Sequence, residues 1–370
     1  MKTSVLISGA GVGGSTLAYW LADNGFQVTV VERAGAQRSS GNPVDVRGPA
    51  IDVVNRMGVM PELRKAATSV DRISFVDAKG AVRASVRTGG SSDGAGGEVE
   101  LPRAELAAVL LGAARDRAEI RWGDTITGLA DDGDRVAVTF AGSAPATYDY
   151  VIGADGLHSG VRRLVFGEEP EFVRHKGMYV ATLPVEHALG EEREVVMYNT
   201  PGRSVSVHPA GGKPLAAFIF RGPETPGYDY RDTAQHKRLV HAAYAGRMGA
   251  FGGLLEQVSA APDLYFDAVC QVRMPSWSRG RVALLGDAGS SLSLFGDGST
   301  LAIAGAHTLA EELTRTPADP HTAFTRYEER HRRLLAPKQR GFRLAGALMV
   351  PASRPGILAR DAVVRLLPRI

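Results

Sequence analysis

A glycine-rich segment near the N-terminus has residue types and spacing that suit a dinucleotide. Residues 9–14 read GAGVGG, a G-x-G-x-x-G pattern between an apolar run and a segment of helical character. The first glycine permits a tight turn, the second lets the backbone approach a pyrophosphate, and the last allows close packing of helix on strand. The helix N-terminus then offers unpaired N–H groups and the positive end of its dipole to the phosphates. The residues predicted to bind the cofactor here are Gly9, Gly11, Val12, Gly13 and Gly14.

An acidic and a basic residue follow the second predicted strand. Glu32 stands eighteen residues after Gly14, where a carboxylate is placed to accept hydrogen bonds from ribose hydroxyls. The alternative is a structural glycine turn beside an incidental glutamate, but strand, helix and acid together favour a dinucleotide site. Arg33 leaves the identity of the nucleotide open, because its guanidinium could hold a 2′-phosphate or stack on adenine.

Two further motifs also follow predicted strands. Residues 153–162 read GADGLHSGVR, and residues 286–288 read GDA, with GDG beyond them at 296–298. An aspartate at the end of a strand often only caps a turn, so Asp155 and Asp287 taken singly leave that alternative open.

Together, the three motifs resemble in order and spacing the group A aromatic-hydroxylase family of FAD-dependent monooxygenases, which has the para-hydroxybenzoate hydroxylase fold. The resemblance covers nearly the whole chain and extends to tetracycline-inactivating monooxygenases, with which the D-x-R-G string at 45–48 is shared. It departs from the family where Gly289 and Ser290 replace the usual pair after GDA and Leu294 stands near the usual proline.

The resemblance implies the cofactor FAD and assigns residues to it. Asp45 and Arg47 match a loop beside the isoalloxazine, and Arg103 matches an arginine near a helix start that contacts the cofactor. Asp155 matches an aspartate linked to both FAD and NAD(P)H, and Asp287 one that binds the ribityl or pyrophosphate region. The remaining matches, which surround Asp287 or fall where backbone amides meet the flavin pyrimidine ring, are Gly286, Gly298, Ser299 and Thr300.

The family chemistry implied is oxygen insertion into an aromatic or polyketide-type small molecule, with tetracycline-like antibiotics among the candidates. NADPH or NADH reduces FAD, and reduced flavin reacts with O₂ to a C4a-hydroperoxide that transfers one oxygen atom. No second G-x-G-x-x-G follows a strand, which fits transient docking of the nicotinamide cofactor. Two alternatives remain open: a flavin oxidase or reductase on the same fold, and a flavoprotein that sequesters a ligand.

Two residues are candidates for catalysis. Arg47 is placed to stabilise negative charge on the flavin or on the peroxide, and His208 is a candidate base for a phenol. The substrate pocket is predicted on alternating strands, although aromatic residues there are more often core. Its predicted residues are Met197, His208, Phe218 and Phe220.

The elements that position these residues form an α/β fold. We predict a Rossmann-like FAD-binding domain of the GR2 type, an inserted antiparallel β-sheet substrate domain and a C-terminal helix. The FAD-binding domain is assigned residues 1–72, 98–171 and 273–320. The substrate domain is assigned residues 73–97 and 172–272, and the C-terminal helical region residues 321–370. The Gly/Ser-rich stretch 89–97 is predicted to be a loop, and the basic stretch 326–343 a solvated helix face.

Composition excludes several other classes of protein. The chain has 370 residues and a net charge of +3, long enough for a sizeable core but too weakly basic for a nucleic-acid partner. One cysteine, Cys270, excludes a disulfide framework and a cysteine-rich metal site, and no metal-binding motif is found. The sequence has no long apolar run and no signal peptide, so we expect a cytoplasmic protein without a membrane segment, as a monomer or weak dimer.

Overall fold

The computed structural model describes residues 2–37, 42–87, 97–209, 213–262, 264–292, 294 and 297–366, without the side chain of residue 343. Its strands are β1 (Ser4–Ser8), β2 (Gln27–Glu32), β3 (Pro43–Val46), β4 (Arg72–Val76), β5 (Val82–Arg87), β6 (Val99–Pro102), β7 (Glu119–Trp122), β8 (Ile126–Asp131), β9 (Val136–Phe140), β10 (Ala146–Tyr148), β11 (Tyr150–Gly153), β12 (Val173–Pro184), β13 (Glu194–Thr200), β14 (Arg203–His208), β15 (Leu215–Arg221), β16 (Tyr265–Val272), β17 (Ser278–Arg279) and β18 (Val282–Leu284).

The helices alternate with the strands in the first part of the chain and dominate its end. They are α1 (Val12–Asp23), α2 (Pro49–Arg56), α3 (Met60–Lys65), α4 (Arg103–Arg115), α5 (Gly160–Val165), α6 (Glu169–Phe172), α7 (Thr233–Tyr244), α8 (Gly253–Ala260), α9 (Asp287–Ser290), α10 (Asp297–Arg315), α11 (Pro320–Met349) and α12 (Arg354–Leu366), with a 3₁₀ turn at Gly249–Phe251.

A six-stranded sheet carries the glycine-rich motifs. Its order is β17-β18-β11-β1-β2-β7, and β1 pairs in parallel with both β2 and β11, so that Val5 lies between Val28 and Tyr150. The central strand β1 is apolar and fully buried at Val5, Leu6 and Ile7, as expected where helices cover both faces of a parallel sheet. Helix α1 packs against α4 and α10.

A seven-stranded sheet forms the second layer. Its order is β16-β12-β15-β14-β13-β4-β5, and every pairing is antiparallel except β13 with β4. Helix α7 covers one face, where the Tyr244 hydroxyl donates to the backbone carbonyls of Ser204 and Ile219. Two smaller sheets, β10-β9-β8 and β3-β6, complete the strands described.

The long helix α11 joins the two sheets. It packs against α10, and its Phe342 is buried in a cluster with Met178, Ile219 and Val269 of the seven-stranded sheet. At its C-terminal end, Arg221 donates to the carbonyls of Gly346 and Val350. Because these contacts tie the last third of the chain to the inserted sheet, α11 fixes how that sheet sits over the parallel one.

The predicted fold class is confirmed: a mixed α/β fold with a Rossmann-like parallel sheet, an antiparallel substrate-domain sheet and C-terminal helices. Some element bounds differ from the prediction. The sequence of residues 148–153 predicts one strand, but the structure interrupts it at Asp149, whose carboxylate accepts hydrogen bonds from the N–H and the hydroxyl of Ser4. Helix α8 was not predicted, and the predicted loop 89–97 lies, but for Gly97, outside the described residues. No helix in the described ranges is long and apolar enough to cross a membrane.

Candidate functional site

The glycine-rich turn between β1 and α1 has the geometry that its sequence predicts. Gly9 has φ +106°, and a Cβ added to it would lie 2.5 Å from the Ala154 carbonyl oxygen. A Cβ on Gly14 would lie 1.9 Å from the Gly9 carbonyl oxygen. Both positions therefore need glycine, for the turn and for close packing respectively.

The N-terminus of α1 is suited to an anion. Gly11 is the N-cap residue, no side chain caps the helix, and no acidic residue stands in its first turn. A Cβ on Gly11 would meet no atom within 4 Å, so the space in front of the helix is open. Unpaired N–H groups beside open space fit the pyrophosphate of a dinucleotide, so the FAD expected from the sequence fits this chain.

Glu32 closes the turn from the neighbouring strand. Its carboxylate accepts hydrogen bonds from the N–H groups of Ala10 and Ala34, at 3.0 and 2.9 Å. Lone pairs remain on both oxygens, so a ribose hydroxyl can still donate to it. Arg33 is exposed beside it and has no hydrogen bond or ion pair within the described ranges.

Arg47 is held between two segments that are distant in sequence. Its Nε and Nη2 donate to Asp297 Oδ1 at 3.0 and 2.5 Å, and its Nη1 lies 3.6 Å from Asp45 Oδ2. Thr300 joins the same segments: its hydroxyl accepts from the Arg47 N–H and donates to the Asp45 carbonyl. Burial raises the pKa of the Asp45 carboxyl, against the opposing charge of Arg47. The predicted isoalloxazine loop is thus fixed to the first turn of α10, which contains Gly298 and the buried Ser299.

The Asp155 carboxylate forms hydrogen bonds with the residues that follow it in the chain. It accepts hydrogen bonds from the Ser159 hydroxyl and the Val161 N–H, which favours the turn-capping alternative. Burial raises its pKa. From the same loop, Arg162 is buried and donates to the carbonyls of Leu157 and Ala288, so it ties this loop to α9.

A cavity of about 280 Å³ lies between the predicted cofactor segments and α11. Asp287 lines it at the start of α9, after Gly286 with φ +61°, and no hydrogen bond from the described residues engages its carboxylate. Most of the other walls are apolar. The remaining lining residues include Arg47, Ser290, Leu292, Leu294, Asp297, Gly298, Leu301 and Ala302.

Sequence reasoning missed the wall formed by α11. Pro337, Lys338, Gly341, Phe342 and Ala345 line the cavity from one face of that helix. Lys338 is exposed, as the predicted solvated helix face requires, but its Nζ also lies 3.4 Å from Asp297 Oδ1. The spacing i, i+1, i+4, i+5, i+8 was the available signal, but small and apolar residues at that spacing indicate any packed helix face.

A second group that sequence reasoning missed surrounds Asp267 on β16. Burial raises the pKa of its carboxyl from 3.8 to about 6, and the charges of His158, Asp287 and Arg103 also act on it. Arg103 begins α4, and its N–H donates to the Asn42 carbonyl. The charges of the predicted cofactor residues Arg103 and Asp287 thus act on one acid that lies outside every motif.

His208 does not line the cavity that contains Arg47. It lies at the end of β14 beside a small cavity of about 10 Å³, among residues of the β3-β6 ribbon such as Pro43 and Glu100. Its Nε2 is 3.1 Å from the Ser206 hydroxyl, and burial lowers its pKa to about 4. The imidazole is therefore neutral at pH 7, and it is a weaker base than an ordinary histidine.

The other predicted pocket residues lie in two different clusters. Phe218 and Phe220 are buried with their rings against Tyr244 of α7. Met197 is buried in a separate cluster with Phe75 and Ala84. None of the three lines the cavity beside Arg47.

A parallel sheet with an uncapped G-x-G-x-x-G helix, joined to an antiparallel sheet over an apolar cavity, is an arrangement that suits a dinucleotide-binding protein. A family model described as an FAD binding domain matches residues 2–334. An uncharacterized protein of Mycobacterium tuberculosis is 40% identical over 334 residues, covering 88% of this chain and 89% of that protein.

A flavin-dependent monooxygenase from an unknown prokaryotic organism is 35% identical over 328 residues, covering 88% of this chain and 84% of that enzyme. Among solved structures, that of the tetracycline destructase Tet(51) has a TM-score of 0.85 at 29% identity, covering 99% of this chain and 96% of that one. The chain belongs to the FAD binding domain family of group A flavin monooxygenases, and it is a flavin-dependent monooxygenase.

Proposed function

We propose that this enzyme takes electrons from NADPH or NADH and inserts one oxygen atom from O₂ into an aromatic or polyketide-type small molecule. The observation that carries the proposal is the apolar cavity of about 280 Å³, which Arg47 and Asp287 border on the cofactor side. Its volume lies just below the ~300–1,000 Å³ typical of small-molecule sites, and its lining joins predicted cofactor residues to apolar residues of α11.

FAD, when bound, supplies the redox chemistry with O₂. The protein's part is to hold the cofactor and to exclude water. The α1 N-terminus would hold the pyrophosphate, and Glu32 would accept a hydrogen bond from a ribose hydroxyl. Leu292, Leu301 and Phe342 form apolar walls that keep water away from the reacting atoms.

Arg47 supplies positive charge at the cofactor end of the cavity. Its side chain is already oriented by Asp297 and Asp45, so no reorganisation is needed when negative charge develops beside it. The tetracycline destructase likeness makes a tetracycline one member of the substrate class to be tested.

The proposal is tested by following NADPH and NADH oxidation by the FAD-loaded protein with phenols, anthracycline-like polyketides and tetracyclines. A substrate that speeds oxidation and gains one oxygen atom supports the proposal. Oxidation that yields only hydrogen peroxide with every compound would indicate a flavin oxidase. Tight binding of a compound without faster turnover would indicate a sequestering flavoprotein.

Replacing Arg47 tests its assigned role. Arg47→Met is expected to lower kcat about 100-fold, because a preorganised charge is lost where charge develops. Arg56→Met is the matched control: Arg56 lies nine residues further on, is half exposed, and is 4.0 Å from its partner Asp52. Equal kcat values in the two variants would contradict a catalytic role for Arg47.

A further inference from the structure

Asp267 is a partly accessible acid, but one of its carboxylate oxygens is buried and lacks a partner. Its Oδ1 is inaccessible to solvent and has no hydrogen-bond partner within the described part of the chain. Leaving a buried carboxylate oxygen unpaired costs free energy, and native proteins keep such groups mainly where a ligand or a function needs them.

Asp267 shares one face of β16 with a residue that packs against the cavity wall. Alternation along β16 puts Tyr265, Asp267 and Val269 on one face of the sheet. Val269 on that face is buried with Phe342, which lines the cavity. Tyr265 and Asp267 are partly accessible, whereas Phe266 and Ala268 between them are buried in the main core.

Charged groups from two of the motifs, and from the start of α4, act on this carboxyl. Helix α9, which begins at Asp287, packs directly against β16. The charged and titratable groups that act on Asp267 or respond to it are Arg103 from α4, His158 from the loop before α5, Tyr228 from the loop after β15, Asp287 from α9, and Tyr265 and Cys270 from its own strand.

The neighbours indicate which part of FAD reaches this position. Asp287 is the residue assigned to the ribityl or pyrophosphate region of FAD, and Arg103 is assigned to the cofactor without a particular region. Two carboxylates beside a pyrophosphate would repel it, whereas a ribityl hydroxyl can donate to a carboxylate. We propose that Asp267 is a further FAD-binding residue whose carboxyl accepts a hydrogen bond from a ribityl hydroxyl; this inference rests on the FAD site described above.

The test measures FAD affinity by fluorescence quenching in Asp267→Ala, Asp267→Asn and Asp71→Asn. Asp267→Ala is expected to weaken FAD binding about tenfold, the loss of one hydrogen bond to a buried charged group. Asp267→Asn keeps a carbonyl acceptor and is expected to stay within about threefold of the wild type. Asp71→Asn is the control, because Asp71 is a partly exposed acid near the opposite end of the same sheet, paired with Arg193.

Riboflavin, which has the ribityl chain but no pyrophosphate, identifies the group involved. If Asp267→Ala loses similar affinity for FAD and for riboflavin, the result supports a hydrogen bond from a ribityl hydroxyl to Asp267. A loss for FAD alone would overturn the hydroxyl assignment in favour of the pyrophosphate. Unchanged affinity for both ligands would overturn the inference as a whole.

The melting temperature of the apoprotein separates ligand binding from a merely structural role. Because the Oδ1 oxygen is unpaired in the described fold, Asp267→Ala is expected not to lower the apoprotein Tm at pH 8, although it weakens FAD binding. A fall in Tm that accounts for the lost affinity would overturn the inference. If the wild type binds no FAD, the inference and the monooxygenase assignment both fail. If the wild type binds FAD and Asp267→Ala binds it equally tightly, only the inference fails.

Discussion

The Gly14 α-carbon lies against the backbone of the preceding strand, so the residue at this position decides whether the nucleotide turn can form. Gly14→Ala would place a Cβ 1.9 Å from the Gly9 carbonyl oxygen. The turn must shift, and we expect a loss of about 1–3 kcal/mol in the free energy of unfolding together with loss of bound FAD. Urea unfolding and the flavin absorbance of the purified protein measure the two effects.

Gly112→Ala is the matched control, since Gly112 lies within helix α4 and an added Cβ there meets no atom within 4 Å. Alanine is the better helix former by about 0.5–1 kcal/mol, so this variant is expected to be slightly more stable and to bind FAD normally. If Gly14→Ala behaved like Gly112→Ala, the close approach at Gly14 would be refuted.

The pKa of Asp267 predicts how the stability of the apoprotein depends on pH. Burial raises that pKa from 3.8 to about 6, so the folded state holds the proton after the unfolded state has released it. The penalty is absent below about pH 4, grows as pH rises to about 6, and reaches ~2–3 kcal/mol above that. Asp267→Asn should therefore stabilise the apoprotein at pH 8 and leave it unchanged at pH 4, as measured by urea unfolding at both values. If Asp267→Asn changed the free energy of unfolding equally at pH 4 and at pH 8, ionisation of Asp267 would not be the cause of the change.

At the scale of elements, a single buried arginine connects two cofactor segments. Arg162 of α5 donates to Leu157 in its own loop and to Ala288 in α9, and its side chain is 1% exposed. Arg162→Met leaves two buried carbonyls unpaired, so we expect a loss of ~2–4 kcal/mol in the free energy of unfolding and weaker FAD binding. Thermal unfolding with and without FAD measures both.

Arg163→Met provides the comparison, because the neighbouring Arg163 is exposed on the same short helix. It should change stability by less than about 0.5 kcal/mol. A similar loss in both variants would show that α5 itself is sensitive to substitution and that the contacts of Arg162 are not special.

The elements around the motifs were predictable because each motif is a contiguous string with its own strand, turn and helix. Residues 9–14 predict their turn because the glycine pattern is contiguous and Gly14 packs on Gly9, although Gly9 also lies against Ala154 far along the chain. The interruption at Asp149 was not predictable in this way, because it depends on hydrogen bonds to Ser4, far away in the chain.

At the scale of the whole molecule, the cavity is formed by segments that no local pattern connects. Alternation in β15 shows that Phe218 and Phe220 share a face, but only the position of α7 decides that this face is core. In the same way, Lys338 and Asp267 enter the site through the packing of α11 and β16, and neither residue belongs to a recognisable motif.

The central claim is that this chain uses bound FAD to insert one oxygen atom from O₂ into a small molecule. The most direct measurement is turnover of a stimulating substrate under ¹⁸O₂ in ordinary water, with the product analysed by mass spectrometry. The account predicts a product that carries one heavy oxygen atom, and none when the label is supplied as H₂¹⁸O. A product oxygen that comes from water, or an unaltered substrate beside stoichiometric hydrogen peroxide, would contradict it.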